Sequence, residues 1–209
     1  MPEVVACLHI ALADTVPTIW RRVDIPVDAN LKMLHDTIQC AMGWLDCHLW
    51  DFEAGGKRYG IPDPDWDLDE TIAAKNTKLA SLLNRGVRQF VYTYDMGDNW
   101  EHLITVESIR EGEPDTNFPR YVEGARRAPP EDVGGAPGFD GFLEAIGNPR
   151  HPEHGDVTEW HLSCYGEEFD PAVIDELNAK LGVGAIAKRR AAGKKSRVTR
   201  EAKGNSTAS

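Results

Sequence analysis

The chain has 209 residues, 41% of them hydrophobic and 27% charged, with a formal net charge of −11. That composition suits one globular domain with a real core and excludes a disordered or fibrous chain. No apolar run approaches the roughly 18 residues of a membrane helix, and the start Met1-Pro2-Glu3-Val4-Val5 lacks signal-peptide character, so a cytoplasmic protein with no membrane partner is expected.

Val4 to Leu12 alternates with period two, and Thr18 to Ile25 does so again with Ile19, Val23 and Ile25 on one face. The Asp14 to Pro17 turn between them predicts a hairpin. Asn30 is a good N-cap for a helix over Leu31–Met42 with a Leu31, Leu34, Ile38, Ala41 stripe and Gly43 at its end. Strands are predicted over 48–54 and 57–61 around Gly55-Gly56, then a short helix near 77–84, then strands over 88–94 and 100–109 joined by Asp95-Met96-Gly97-Asp98-Asn99. Residues 111–138 are rich in Pro and Gly and read as one long loop. Helices are predicted over 139–146, around 157–162, and over 171–181, with Asp170 as cap and Gly182 as stop.

The expected fold is therefore α+β. A mainly antiparallel sheet of five to six strands carries helices on one face, followed by a helical C-terminal part. One domain spans 1–182. Residues 183–209 hold eight basic side chains against Glu201, a net +7 that leaves −18 on 1–182, and they read as a basic disordered tail. A body that acidic repels phosphate backbones, so nucleic acid is a partner only through that tail, at Lys188, Arg189, Arg190, Lys194 and Lys195.

The densest polar set is Asp95, Asp98, Asn99, Trp100, Glu101 and His102, joined by Glu131 and Asp132. Carboxylates with imidazole suit a divalent metal or acid–base chemistry. The ligand set drawn from it is His48, Asp98 and His102. Glu101 and His102 point to opposite faces of one strand, so they cannot both join one site. The competing reading is structural: Asp, Gly and Asn are what a tight turn demands, and Trp100 then belongs to the core. His35, beside the Ile38 stripe, reads more simply as a hydrogen-bonded structural histidine. Asp63-x-Asp65-x-Asp67-x-Asp69 fails as an EF-hand, because Leu68 occupies the glycine position and Ala74 the bidentate glutamate position. Arg21 and Arg22 could clasp an anion or pair with the acidic body. Cys7, Cys40, Cys47 and Cys164 form no CxxC pair and read as ordinary thiols, and no cofactor is evident beyond a divalent metal.

Several of these segments form an ordered series. They are Pro17-Thr-Ile-Trp-Arg-Arg22, Leu34-His-Asp-Thr-Ile-Gln-Cys-Ala-Met-Gly-Trp44, His48-Leu49 with Phe52, Tyr94-Asp-Met-Gly-Asp-Asn-Trp-Glu-His102, Pro129-Pro-Glu-Asp-Val-Gly-Gly135 and Glu168-Phe-Asp-Pro171. The series resembles the plasmid pRiA4b ORF-3-like family, also labelled passenger proteins of insertion elements, from about residue 4 to 181. The resemblance implies a compact α+β domain without an established biochemical role. Some members carry a resolvase-type (TnpR) label, but the serine set among arginines that a serine recombinase needs is not found here. Many relatives have cysteines beside Pro-Pro-Glu-Asp where this chain has Ala128 and Val133, which weakens a thiol-ligated metal in that loop. Two functional classes remain: a non-catalytic binding or accessory module with an unknown protein partner, associated with mobile DNA, and a metal-assisted hydrolytic enzyme using the His/Asp/Glu cluster.

Overall fold

The computed structural model describes residues 2–63 and 71–205. Asp65, Asp67 and Asp69 of the acidic run, and the side chain of Lys195, lie outside the described residues. One eight-stranded sheet forms the frame: β1 (Val4–Leu12), β2 (Trp20–Pro26), β3 (Trp50–Ala54), β4 (Lys57–Gly60), β5 (Ile72–Ala73), β6 (Gln89–Tyr94), β7 (Trp100–Glu111) and β8 (Arg120–Ala125). The spatial order is β5-β4-β3-β6-β7-β1-β2-β8. Every pairing is antiparallel except β4 with β5. The α+β class stands, with more strands than the five to six expected.

The alternation in β1 does what period two requires. Leu8, Ile10 and Leu12 are fully or almost fully buried under the helices, whereas Cys7, His9 and Ala11 are half-exposed on the other face. α1 (Leu31–Met42) crosses the buried face. Its His35 and Gln39 reach the Tyr92 hydroxyl on β6, and its Ala41 carbonyl accepts from Arg21 on β2. Asn30 caps it through Met33 N–H, and Gly43 ends it in the left-handed region, as its sequence predicts. The short α2 is Leu79–Asn84; α3 (Gly135–Gly147) and α4 (His154–Tyr165) pack together beyond the sheet, around Phe139, Phe142 and Phe169.

Two expectations are corrected. The 111–138 stretch is not a single loop, because β8 lies within it and pairs with β2. Its flanking prolines and glycines hid a strand whose Tyr121 packs inward. Gly124 is itself a packing requirement, since a Cβ there would sit 2.7 Å from the Trp20 carbonyl oxygen.

The C-terminal segment is the second. The helix does not run over 171–181, nor does Gly182 stop it. Residues 171–172 form a turn and 173–175 are irregular, Asp175 accepts from Asn178 N–H, and α5 (Glu176–Asn205) continues through the supposed tail. The predicted stripe is mostly outside, with Val173, Leu177 and Leu181 exposed, while Ala179, Val183, Ile186 and Ala187 are buried. Gly182 explains the choice of face. A Cβ there would lie 3.1 Å from both Cβ and Sγ of Cys40, so α5 presses against α1 along small residues rather than leucines. Glycine costs a helix roughly 1 kcal/mol, and the close α1–α5 packing offsets it.

Candidate metal centre

The pairing of Trp50 with Tyr94 sets the site. Beyond it the ladder gains one more bond, from Asp95 N–H to the Leu49 carbonyl, which brings the approach to β3 beside the end of β6. His48 therefore stands next to Asp95. A third segment completes the group: the Trp44 indole donates to the Pro129 carbonyl, and Leu45 N–H donates to Glu131 Oε1, fixing 129–132 against the end of α1.

His48 Nε2 is buried and has no hydrogen-bond partner among the described residues. It faces three carboxylate oxygens: Asp132 Oδ1 at 3.2 Å, Asp95 Oδ2 at 3.6 Å and Glu131 Oε2 at 3.9 Å. In the two buried carboxylates the second oxygen is held in place. Asp95 Oδ1 accepts from Gly97 N–H at 2.9 Å and Asp98 N–H at 3.3 Å. Glu131 Oε1 accepts from Leu45 N–H at 2.7 Å and the Tyr94 hydroxyl at 3.1 Å. The Tyr94 hydroxyl also accepts from Cys47 N–H, and burial raises its pKa above the usual phenol range, so it stays a donor. Glu131 N–H in turn donates to the Tyr165 hydroxyl at 2.8 Å. Outer bonds of this kind orient first-row ligands around an ion. Asp95 and Asp132 hold positive φ, +56° and +58°, which aspartate tolerates.

His48, Asp95 and Asp132 each offer a ligand atom within 4.8 Å of the others, and so do Cys47, His48 and Glu131. Asp132 is 71% exposed and leaves the group open to solvent on that side.

The structure divides the expected site residues. His48, Asp95, Glu131 and Asp132 come together. Asp98 and His102 do not. Asp98 turns away to accept from Gly134 N–H at the entry to α3. His102 is fully buried, with Nδ1 near the Trp100 carbonyl at 2.9 Å and the Tyr92 carbonyl at 3.2 Å, and burial lowers its pKa to about 4. It is a neutral core histidine packed edge-on against Trp44. Trp100 is likewise core, 2% exposed. Asp95 serves the turn with Oδ1 and faces His48 with Oδ2, so the two readings claim different oxygens. Cys47 was passed over as an ordinary thiol; its adjacency to His48 was the available signal. His35 binds the Tyr92 hydroxyl and Asp46 through its two nitrogens, is stacked on Trp50, and serves structure.

Among the basic residues read as a nucleic-acid contact, Arg190 pairs with Glu3 and Asp28, and Lys194 pairs with Glu3. They fasten α5 to the domain. Lys188 and Arg189 are exposed. No helix among the described residues is long and apolar enough to cross a membrane.

The model of the plasmid pRiA4b ORF-3-like proteins matches residues 5–178, a span that includes the whole His48 group. The chain belongs to the plasmid pRiA4b ORF-3-like family. A relative in this family's range is the uncharacterized protein y4hQ of Sinorhizobium fredii, 34% identical over 182 residues, covering 83% of this chain and 92% of the relative. Among solved structures, a protein of unknown function, MM3350 from Methanosarcina mazei Go1, is similar with a TM-score of 0.75 and 31% identity, over 84% of this chain and 97% of that one. Each match thus spans most of this chain and nearly all of the similar protein. Neither relative carries a named activity.

Proposed function

We propose that this protein is a divalent-cation-binding domain whose ion is held by His48, Asp95, Glu131 and Asp132. One observation carries the reading: the buried, unpartnered Nε2 of His48 faces three carboxylate oxygens brought from two other chain segments. Three negative charges converging on one imidazole repel one another in a partly desolvated site, and a cation relieves that repulsion. One imidazole with carboxylates suits manganese or zinc better than calcium or copper. Cys47, exposed beside His48, would favour zinc if its thiolate joined.

The ion can serve a binding or accessory module, consistent with the non-catalytic role expected from the sequence and with a setting in mobile DNA. The exposure of Asp132 supports a second reading, metal-assisted hydrolysis, because a solvent-facing ligand leaves a coordination position for water.

The test is equilibrium dialysis of the full chain, stripped with chelator, against manganese and zinc, read by elemental analysis. About one equivalent bound by wild type, and none by His48→Ala, is expected. Equal metal content in wild type and His48→Ala would remove the site from the account.

A further inference from the structure

A second place in the molecule holds a charge without an obvious partner. Arg21 lies in β2 on the helix-covered face, in phase with Ile19, Val23 and Ile25, and is 1% exposed. Its Nε donates to the Ala41 carbonyl at 2.8 Å, and its Nη1 to the carbonyls of Trp20 at 2.8 Å and Ala125 at 3.1 Å. Nη2 has no hydrogen bond, and no carboxylate forms an ion pair with Arg21, among the described residues. Burial lowers its pKa to about 10, against the opposing effect of Tyr121 and of the Glu176 carboxylate beyond ion-pair distance, so it is cationic at neutral pH. A buried cation satisfied by neutral carbonyls on one edge retains a strong preference for an anion on the other.

Arg21 also borders a cavity. Arg21 lines a pocket of about 200 Å³ between the end of α1, the 127–130 segment, the end of α4 and the start of α5. The walls mix polar and apolar side chains, and the apolar part includes Trp44, Phe169 and Ala179, each under a tenth exposed. The remaining charges on the walls are already engaged. Arg127 pairs with Glu167, and Asp175 accepts from Asn178.

We propose that this pocket binds a small organic monocarboxylate, its carboxylate on Arg21 Nη2 and its hydrocarbon body against Trp44 and Phe169. The chemistry selects that class over phosphate. One guanidinium edge suits a planar monoanion, Glu167 and Asp175 disfavour a dianion, and the Trp44 and Phe169 rings reward a hydrocarbon body. The volume suits a ligand the size of a benzoate or a short-chain fatty acid. This proposal does not depend on an ion at the His48 group; the two places share the side chains of Trp44 and Tyr165, which bond the backbone at 129 and 131, and no residue facing His48 lines the pocket.

Calorimetric titration of the metal-free full chain with benzoate, and separately with inorganic phosphate, tests it. Saturable one-to-one binding of benzoate is expected, with phosphate at least about tenfold weaker. Arg21→Met should abolish it. Because Arg21→Met removes hydrogen bonds that hold β2 to α1, Asn178→Trp is the second variant; it leaves Arg21 intact and fills the pocket wall, and it should weaken binding at least about tenfold. His48→Ala should bind benzoate as wild type does. Absence of saturable binding, or binding undiminished in Asn178→Trp, overturns the pocket. Phosphate binding tighter than benzoate overturns the carboxylate assignment.

Discussion

Glu131→Gln separates a metal site from a histidine merely ion-paired to carboxylates. Glu131 is 7% exposed, and its Oε1 takes bonds from Leu45 N–H and the Tyr94 hydroxyl. The glutamine carbonyl can occupy that position and keep both bonds. Its amide then replaces Oε2, the oxygen facing His48 at 3.9 Å. Without metal, one of three converging negative charges is gone, so the stripped variant should be as stable as wild type or more stable by up to about 1 kcal/mol. With metal at about 100 times its dissociation constant, wild type gains about 2.7 kcal/mol, or roughly 5–10 °C for a chain of this length; the variant should lose most of that shift. Glu131→Ala is the control. It strands two buried donors at about 1–3 kcal/mol each, so it should destabilise the stripped protein where glutamine does not. Thermal melts of the three proteins, with chelator and with manganese or zinc, read all of this. If the glutamine variant loses as much stability as the alanine variant in chelator, the carboxylate charge serves a protonated His48, and the metal reasoning fails.

Further outcomes follow from the same structure. Ile186→Ala, in the segment expected to be a tail, should cost about 2–5 kcal/mol by chemical denaturation; a cost near zero would mean α5 does not dock beyond Gly182. Gly182→Leu should destabilise by about 1–3 kcal/mol or more, because the new side chain meets Cys40. His35 and His102 have folded pKa values lowered to about 4 by burial, below the ordinary 6.5. Between those values the unfolded chain binds more protons, so stability should fall as pH drops from about 6.5 to 4, by up to about 3 kcal/mol per histidine. Urea midpoints flat across that range would contradict their neutral burial. Arg190→Ala leaves Glu3 and Asp28 to Lys194 alone and should lower the denaturation midpoint without altering metal content.

Local pattern alone carried much of this molecule. Period-two alternation in 4–12 and 18–25, the Asn30 cap, the Gly43 stop and the Gly55-Gly56 turn are signals a chain displays before it folds, because they depend on neighbours a few residues away. The acid-rich bend after Tyr94, with His48, Glu131 and Asp132 as companions, was visible as a set of residue types. Which of them meet was not. Asp98 and His102 are as suitable chemically as Asp95 and His48, and only the register of β3 against β6 and the anchoring of Glu131 by Leu45 and Tyr94 sort them. Arg21 shows the reverse case: its phase with Ile19 and Val23 placed it on the buried face, yet that carbonyls rather than a carboxylate would take its hydrogen bonds there depended on distant segments. The course of α5 was decided the same way. Leucines at 177 and 181 promised a stripe, but contact with Cys40 rewards the absence of a side chain at Gly182, and close approach between helices is a property of two surfaces together, written in neither segment by itself.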